Sequence, residues 1–187
     1  MPEPLIHGVV GLVVSRWLGV RRWWLLFLVV LFSVLPDVDA VFRIHRSFTH
    51  SLLVALVVGL AVVWLAWRTG RKSAAWVVGV FVLAYSVHVV MDLFTGPTPV
   101  LWPLVWKDFY VEVMVTANNT VSNGITLEPV LRVHVTDFTM EPGDIVDAPV
   151  ATPTGVSIAV IVLALLLLEE PRIKRVLDKV SASIRGK

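Results

Sequence analysis

Five apolar stretches, at residues 5–20, 23–35, 51–67, 74–94 and 156–168, leave this 187-residue chain little choice of solvent. The third and fourth approach the roughly 20 apolar residues that a helix needs to cross hydrocarbon. The others are shorter, and the first two could instead pair as a re-entrant hairpin. That arrangement would bury Arg16, Arg21 and Arg22 in the membrane at its tip, at a cost of about 2.5–3.5 kcal/mol each at the bilayer centre. Spanning costs less. The chain therefore reads as an α-helical integral membrane protein of about five transmembrane helices. Composition agrees, with 57% hydrophobic and 16% charged residues, against about half and about a quarter in soluble domains.

The basic residues set an orientation. Arg16, Arg21 and Arg22 separate the first two stretches, Arg68, Arg71 and Lys72 the third and fourth, and Arg172, Lys174, Arg175, Lys179, Arg185 and Lys187 follow the fifth. That places 12 of the 16 Lys and Arg on one side, with Arg43, Arg46, Lys107 and Arg132 on the other. The positive-inside rule makes the first side cytoplasmic, with the N-terminus outside and the C-terminus inside. The opening Met1-Pro2-Glu3-Pro4 lacks the basic start of a cleaved signal and is expected to be retained.

Four parts are expected: a four-helix membrane domain (1–104), an extracytoplasmic insertion (105–149), the fifth helix (150–170) and a basic cytoplasmic tail (171–187). In the insertion, Phe109, Val111, Val113 and Val115 alternate with Tyr110, Glu112, Met114 and Thr116, the period of a strand. Leu131, Val133 and Val135 repeat the pattern after a turn-rich segment ending in Asn123-Gly124. A small antiparallel β insertion between helices four and five follows. Asn118-Asn119-Thr120 is a glycosylation triplet of a kind that chance often produces. Trp102, Trp106 and Tyr110 read as an interfacial aromatic belt.

On this topology the ionisable side chains gather at one membrane face. His7 starts the first helix, Asp37 and Asp39 end the second, His45, Arg46 and His50 lead into the third, and His88 and Asp92 end the fourth. Ionisable groups beside membrane segments are functional candidates by default, and His88 and Asp92, at i and i+4, share a helix face. Taken singly, each has a plainer explanation, such as a hydrogen-bonded structural pair or a turn cap. Seven candidate ligands at one depth point to a metal site. With no cysteine in the chain, that site must use nitrogen and oxygen, which suits zinc, manganese or iron-type ions. The expected ligands are His7, Asp37, Asp39, His50, His88 and Asp92. They would hold one or two divalent transition metals, zinc first. A spare carboxylate or His45 is the candidate general base. Arg46 suits an anionic substrate group, or a structural pairing with Asp37 or Asp39. Thr49 is either a supporting hydrogen-bonder or the cap of helix three. His134 reads as solvated.

The order His7, Leu35-Pro36-Asp37-Val38-Asp39, His45-Arg46-x-x-Thr49-His50-Ser51, His88-x-x-x-Asp92-x-x-Thr95 and Leu101-Trp102-Pro103 resembles the YdjM-type family. This is a group of membrane-bound, predicted metal-dependent hydrolases, also labelled LexA-binding and inner-membrane-associated. The resemblance covers residues 1–103 and implies a metal hydrolase. The His-x-x-x-Asp helix more distantly resembles the zinc-dependent phospholipase C fold, which implies a phosphoesterase.

Two readings of the cluster result. The first is a membrane-bound metal-dependent hydrolase at the outer membrane face, with membrane lipid or another amphiphilic phosphoester as substrate. The alternative is a non-enzymatic transporter or metal-binding scaffold. A transporter needs ionisable groups at mid-membrane and on both sides, whereas the cytoplasmic helix ends here carry neither His nor Asp. A net charge of +2 gives no reason to expect nucleic acid.

Overall fold

The computed structural model describes residues 3–42, 46–120, 124–139, 149–170 and 175. Helix α1 spans Pro4–Trp17, α2 Trp23–Val34, α3 Leu52–Arg68, α4 Lys72–Leu93 and α5 Pro153–Leu168. Strands β1, Lys107–Thr120, and β2, Gly124–Asp137, lie between α4 and α5. Each apolar stretch is thus helical, and the protein is mostly helix with one small sheet.

Of the five apolar helices, two meet the length of a full span and three are shorter. Among the described residues two helices are long and apolar enough to cross a membrane: Trp23–Val41, of 19 residues, and Lys72–Leu93, of 22. Helices α1, α3 and α5 have 14, 17 and 16 residues, which at 1.5 Å per residue is about 21–26 Å, short of the ~30 Å hydrocarbon core. The second span reaches its length in a way that the apolar run conceals. Pro36 does not end that helix: the chain tightens into a 3₁₀ segment over Leu35–Phe42 and continues. Proline lacks an N–H, and the fixed φ of its ring suits a tight helical turn.

Small residues let the helices approach. A Cβ on Gly11 of α1 would sit 1.8 Å from Ser33 Oγ on α2, so α1 can lie this close only as glycine, the usual device of membrane helix pairs. Helices α3 and α4 form a tight hairpin, with Gly70 at φ 76° in the connection, where a Cβ would be strained. Ser51, rather than Thr49, caps α3 by accepting from Val54 N–H. A buried cluster of Val20, Leu25, Val29, Val80 and Ala84 joins α2 to α4. In contrast α3 buries none of its residues, and Val57, Leu60 and Trp64 stay more than half exposed. In water such a face would be a liability; in a bilayer lipid covers it. Helix α5 is fastened to α1 at both ends. The Glu3 carboxylate accepts from Thr152 N–H and Oγ1–H, and Arg16 pairs with Glu170.

The expected β insertion is a two-stranded antiparallel ribbon, with Lys107 opposite Asp137 and Val113 opposite Leu131. Thr98 bridges to Phe109, tying the ribbon to the loop after α4. Tyr110 stacks on His134, which is exposed and lies 3.0 Å from Glu112. The tail at 171–174 and 176–187 lies outside the described residues.

Candidate metal centre

Four elements bring their ends together to build the site. The start of α1 carries His7, and the 3₁₀ segment after α2 carries Asp37 and Asp39. The turn before α3 carries His50, and the last turns of α4 carry His88 and Asp92. The six side chains sit at the end of the bundle opposite Arg21, Arg22, Arg71 and Lys72, which flank the other helix ends.

Asp37, His50, His88 and Asp92 each offer one ligand atom, and all four atoms lie within 4.8 Å of one another. His50 Nε2 is 3.3 Å from His88 Nε2, 3.1 Å from Asp92 Oδ2 and 3.7 Å from Asp37 Oδ1. His88 Nε2 is 3.5 Å from Asp37 Oδ1 and 3.6 Å from Asp92 Oδ2. A tetrahedron with bonds of ~2.0–2.1 Å has edges of about 3.3–3.4 Å, so these separations bracket what zinc requires of nitrogen and oxygen ligands. His50, His88 and Asp92 are nearly fully buried, and Asp37 is the most accessible at 13%.

The supporting hydrogen bonds turn both imidazoles the right way. His88 Nδ1 lies 2.6 Å from the Ser33 carbonyl. A carbonyl only accepts, so Nδ1 donates and Nε2 presents its lone pair to the centre. His50 Nδ1 lies 3.1 Å from Asp39 Oδ2, the carboxylate–histidine arrangement that orients metal-binding imidazoles. Asp39 Oδ2 also accepts from Ser47 N–H at 2.7 Å and Thr49 Oγ1–H at 2.8 Å. Thr49 therefore holds Asp39. Two bare ring nitrogens and two carboxylate oxygens facing each other repel unless a positive charge sits among them. The same preference appears in His50. Burial would pull its imidazole down, but Asp37, Asp39 and Asp92 outweigh burial and raise it to about 10. The centre attracts a cation, whether proton or metal.

The other oxygen of Asp92 has its own neighbours. Oδ1 is 3.4 Å from His7 Nε2 and 3.3 Å from Arg46 Nη2. His7 is buried and stacks on His88 with ring centroids 3.7 Å apart. Neither of its ring nitrogens has a hydrogen-bond partner among the described residues. Arg46 is 7% exposed and also donates to Thr95 Oγ1 at 2.7 Å. Its backbone sits at φ 58°, a conformation non-glycine residues seldom adopt. Its carboxylate partner is thus Asp92, rather than Asp37 or Asp39. His45 lies outside the described residues.

Sequence reasoning passed over two groups here. Ser33 supplies the carbonyl that fixes the His88 tautomer, and its one signal is that it is a small polar residue in the apolar run of α2. Asp108, on β1, lies near Arg46; burial raises its carboxyl to about 6, while the Arg46 charge pulls the other way. The strand pattern begins at Phe109 and leaves Asp108 out.

A family model described as "YdjM inner membrane protein" matches residues 3–170. The "Inner membrane protein YbcI" of Escherichia coli (strain K12) is 31% identical over 121 residues, covering 58% of this chain and 70% of that protein. No solved structure matches the chain. The match spans α1 to α5 and all of the residues just described, and the apolar helices agree with a membrane location. The chain belongs to the YdjM inner membrane protein family.

Proposed function

We propose that this protein is a membrane-bound, metal-dependent hydrolase that acts on a phosphoester, or a related ester, of an amphiphilic substrate at the outer membrane face. The observation that carries this reading is that His50 Nε2 and His88 Nε2 lie 3.1–3.7 Å from each other, from Asp37 Oδ1 and from Asp92 Oδ2, with one ligand atom of each of the four residues within 4.8 Å of the rest. Two imidazoles and two carboxylates are a zinc-type donor set. The ion, when bound, supplies Lewis acidity, acidifying a water and polarising a phosphoryl or carbonyl oxygen.

The chain's residues divide the remaining tasks. A catalytic zinc keeps three protein ligands and one open position. The buried His50, His88 and Asp92 supply three, and the more accessible Asp37 stands where water and substrate enter. Asp39 and the Ser33 carbonyl hold the two imidazoles in their ligand tautomers. Arg46 fixes Asp92 and adds a positive charge beside the centre, which suits a phosphoryl group. His45 remains the proposed general base.

Hydrolysis is tested on purified protein with a panel of lipid phosphoesters and soluble esters. Turnover should vanish with chelator and return on adding zinc. If nothing in the panel turns over in a metal-dependent way, the hydrolase reading fails and the scaffold or transporter reading replaces it.

The outer-face placement has its own test, since the chain contains no cysteine. With single cysteines introduced, a membrane-impermeant thiol reagent should label Asn118→Cys in intact cells and leave Lys72→Cys unlabelled. The reverse pattern would put the cluster in the cytoplasm.

A further inference from the structure

Below the metal centre an apolar groove of about 430 Å³ runs between α2, α3 and α4, within the usual 300–1,000 Å³ of ligand pockets. Each of the three helices lining it leads into a segment that carries a ligand. On the α2 side Phe32 and Leu35 line it, and Asp37 follows two residues later. Ser51, the cap of α3, and Val54, Ala55, Val58, Gly59 and Val62 on α3 line it, beginning one residue after His50. On α4, Val78, Phe81 and Tyr85 line it. Tyr85 is three residues before His88, about 4.5 Å along the axis. The groove's lining therefore reaches within a turn of Asp37, His50 and His88.

The lining also specifies the chemistry of the occupant. Of its 14 lining residues only Thr49, Ser51 and Tyr85 carry a polar side-chain group, and each hydroxyl is already committed. Tyr85 donates to the Thr49 carbonyl, Thr49 to Asp39, and Ser51 to the Trp102 carbonyl. No side-chain hydroxyl proton in the groove is left to donate to a polar ligand, and the rest of the lining is apolar, which fits hydrocarbon. From Ser51 to Val62 the groove follows α3 for about 16 Å, about half the ~30 Å hydrocarbon core and hence the depth of one leaflet.

We propose that this groove holds one hydrocarbon chain of a membrane lipid, with the lipid's polar end at the Asp37–His50–His88–Asp92 centre. What happens to that polar end rests on the hydrolase reading; the occupancy of the groove does not.

The test uses the full-length protein in vesicles of phosphatidylglycerol containing a small fraction of the same lipid with a diazirine near the end of one acyl chain. After illumination, labelled peptides are mapped by mass spectrometry and metal content is measured in parallel. Labelling should concentrate on the α3 and α4 residues that line the groove. Ala55→Trp, which fills the groove, should lower it at least fivefold with metal content unchanged. Val58→Trp is the second variant; should both variants lose metal, the wild-type labelling map decides alone. Label spread evenly over the lipid-facing helices, or unchanged in a filled variant that keeps its metal, overturns the groove and leaves the hydrolase reading standing. Groove labelling in a protein that binds no metal supports the groove and removes the hydrolase reading.

Discussion

Asp92→Asn is expected to empty the metal centre. Its two oxygens serve different neighbours: Oδ2 lies 3.1 Å from His50 Nε2, and Oδ1 lies 3.4 Å from His7 and 3.3 Å from Arg46. Structural zinc sites bind with about 10–16 kcal/mol over four ligands, or about 3 kcal/mol per ligand. The loss of one ligand thus weakens affinity by about a hundredfold. Elemental analysis of the detergent-purified variant should then find less than a tenth of the wild-type metal, with turnover lost in parallel. Asparagine keeps the shape of the side chain and can still meet Arg46, which limits damage to folding. Asp92→Ala is harsher, since leaving a buried guanidinium without its partner costs about 3–5 kcal/mol. A helical signal that melts as in wild type, measured on the same samples, separates loss of the ion from loss of the fold. Full metal content in Asp92→Asn would remove Asp92 from the ligand set.

Asp39→Asn is expected to weaken metal binding with Asp37, His50, His88 and Asp92 all intact. Asp39 Oδ2 accepts from His50 Nδ1, Ser47 N–H and Thr49 Oγ1–H, so it both orients the His50 ring and makes its Nε2 a better donor. Loss of such a partner typically costs about 10–100-fold in metal affinity. Competition against a chromophoric chelator should show a drop in that range at unchanged stoichiometry. Unchanged affinity would mean that the His50 ring is held by its packing alone.

The contrast between Asp37 and Asp39 shows where sequence reading stops. The Leu-Pro-Asp-Val-Asp run marks both carboxylates, because acidic groups at the end of an apolar helix need a reason to be there. Their separate tasks depend on the 3₁₀ segment. At three residues per turn, positions two apart point about 240° apart, so Asp37 faces the centre while Asp39 faces the back of His50. In a strand the two would share a face. His88 and Asp92 were legible as a pair from their i, i+4 spacing. The partner of Arg46 was not, since Asp92 is 46 residues away and only the packing of α4 against the turn before α3 brings them together. Ser33 contributes its carbonyl, a group every residue has, and its small side chain was a signal of close helix approach rather than of chemistry. The length of the second span was hidden for a related reason. Apolar runs report composition, while the length of a span here depends on a helix that continues past Pro36.

The most direct test of the central claim is X-ray absorption at the zinc edge on protein purified without chelator and reloaded to saturation. The account predicts about one zinc per chain with a first shell of nitrogen and oxygen only, at about 2.0–2.1 Å, and outer-shell scattering from two imidazoles. A protein that takes up no stoichiometric ion, or an ion whose spectrum shows no imidazole, would contradict it.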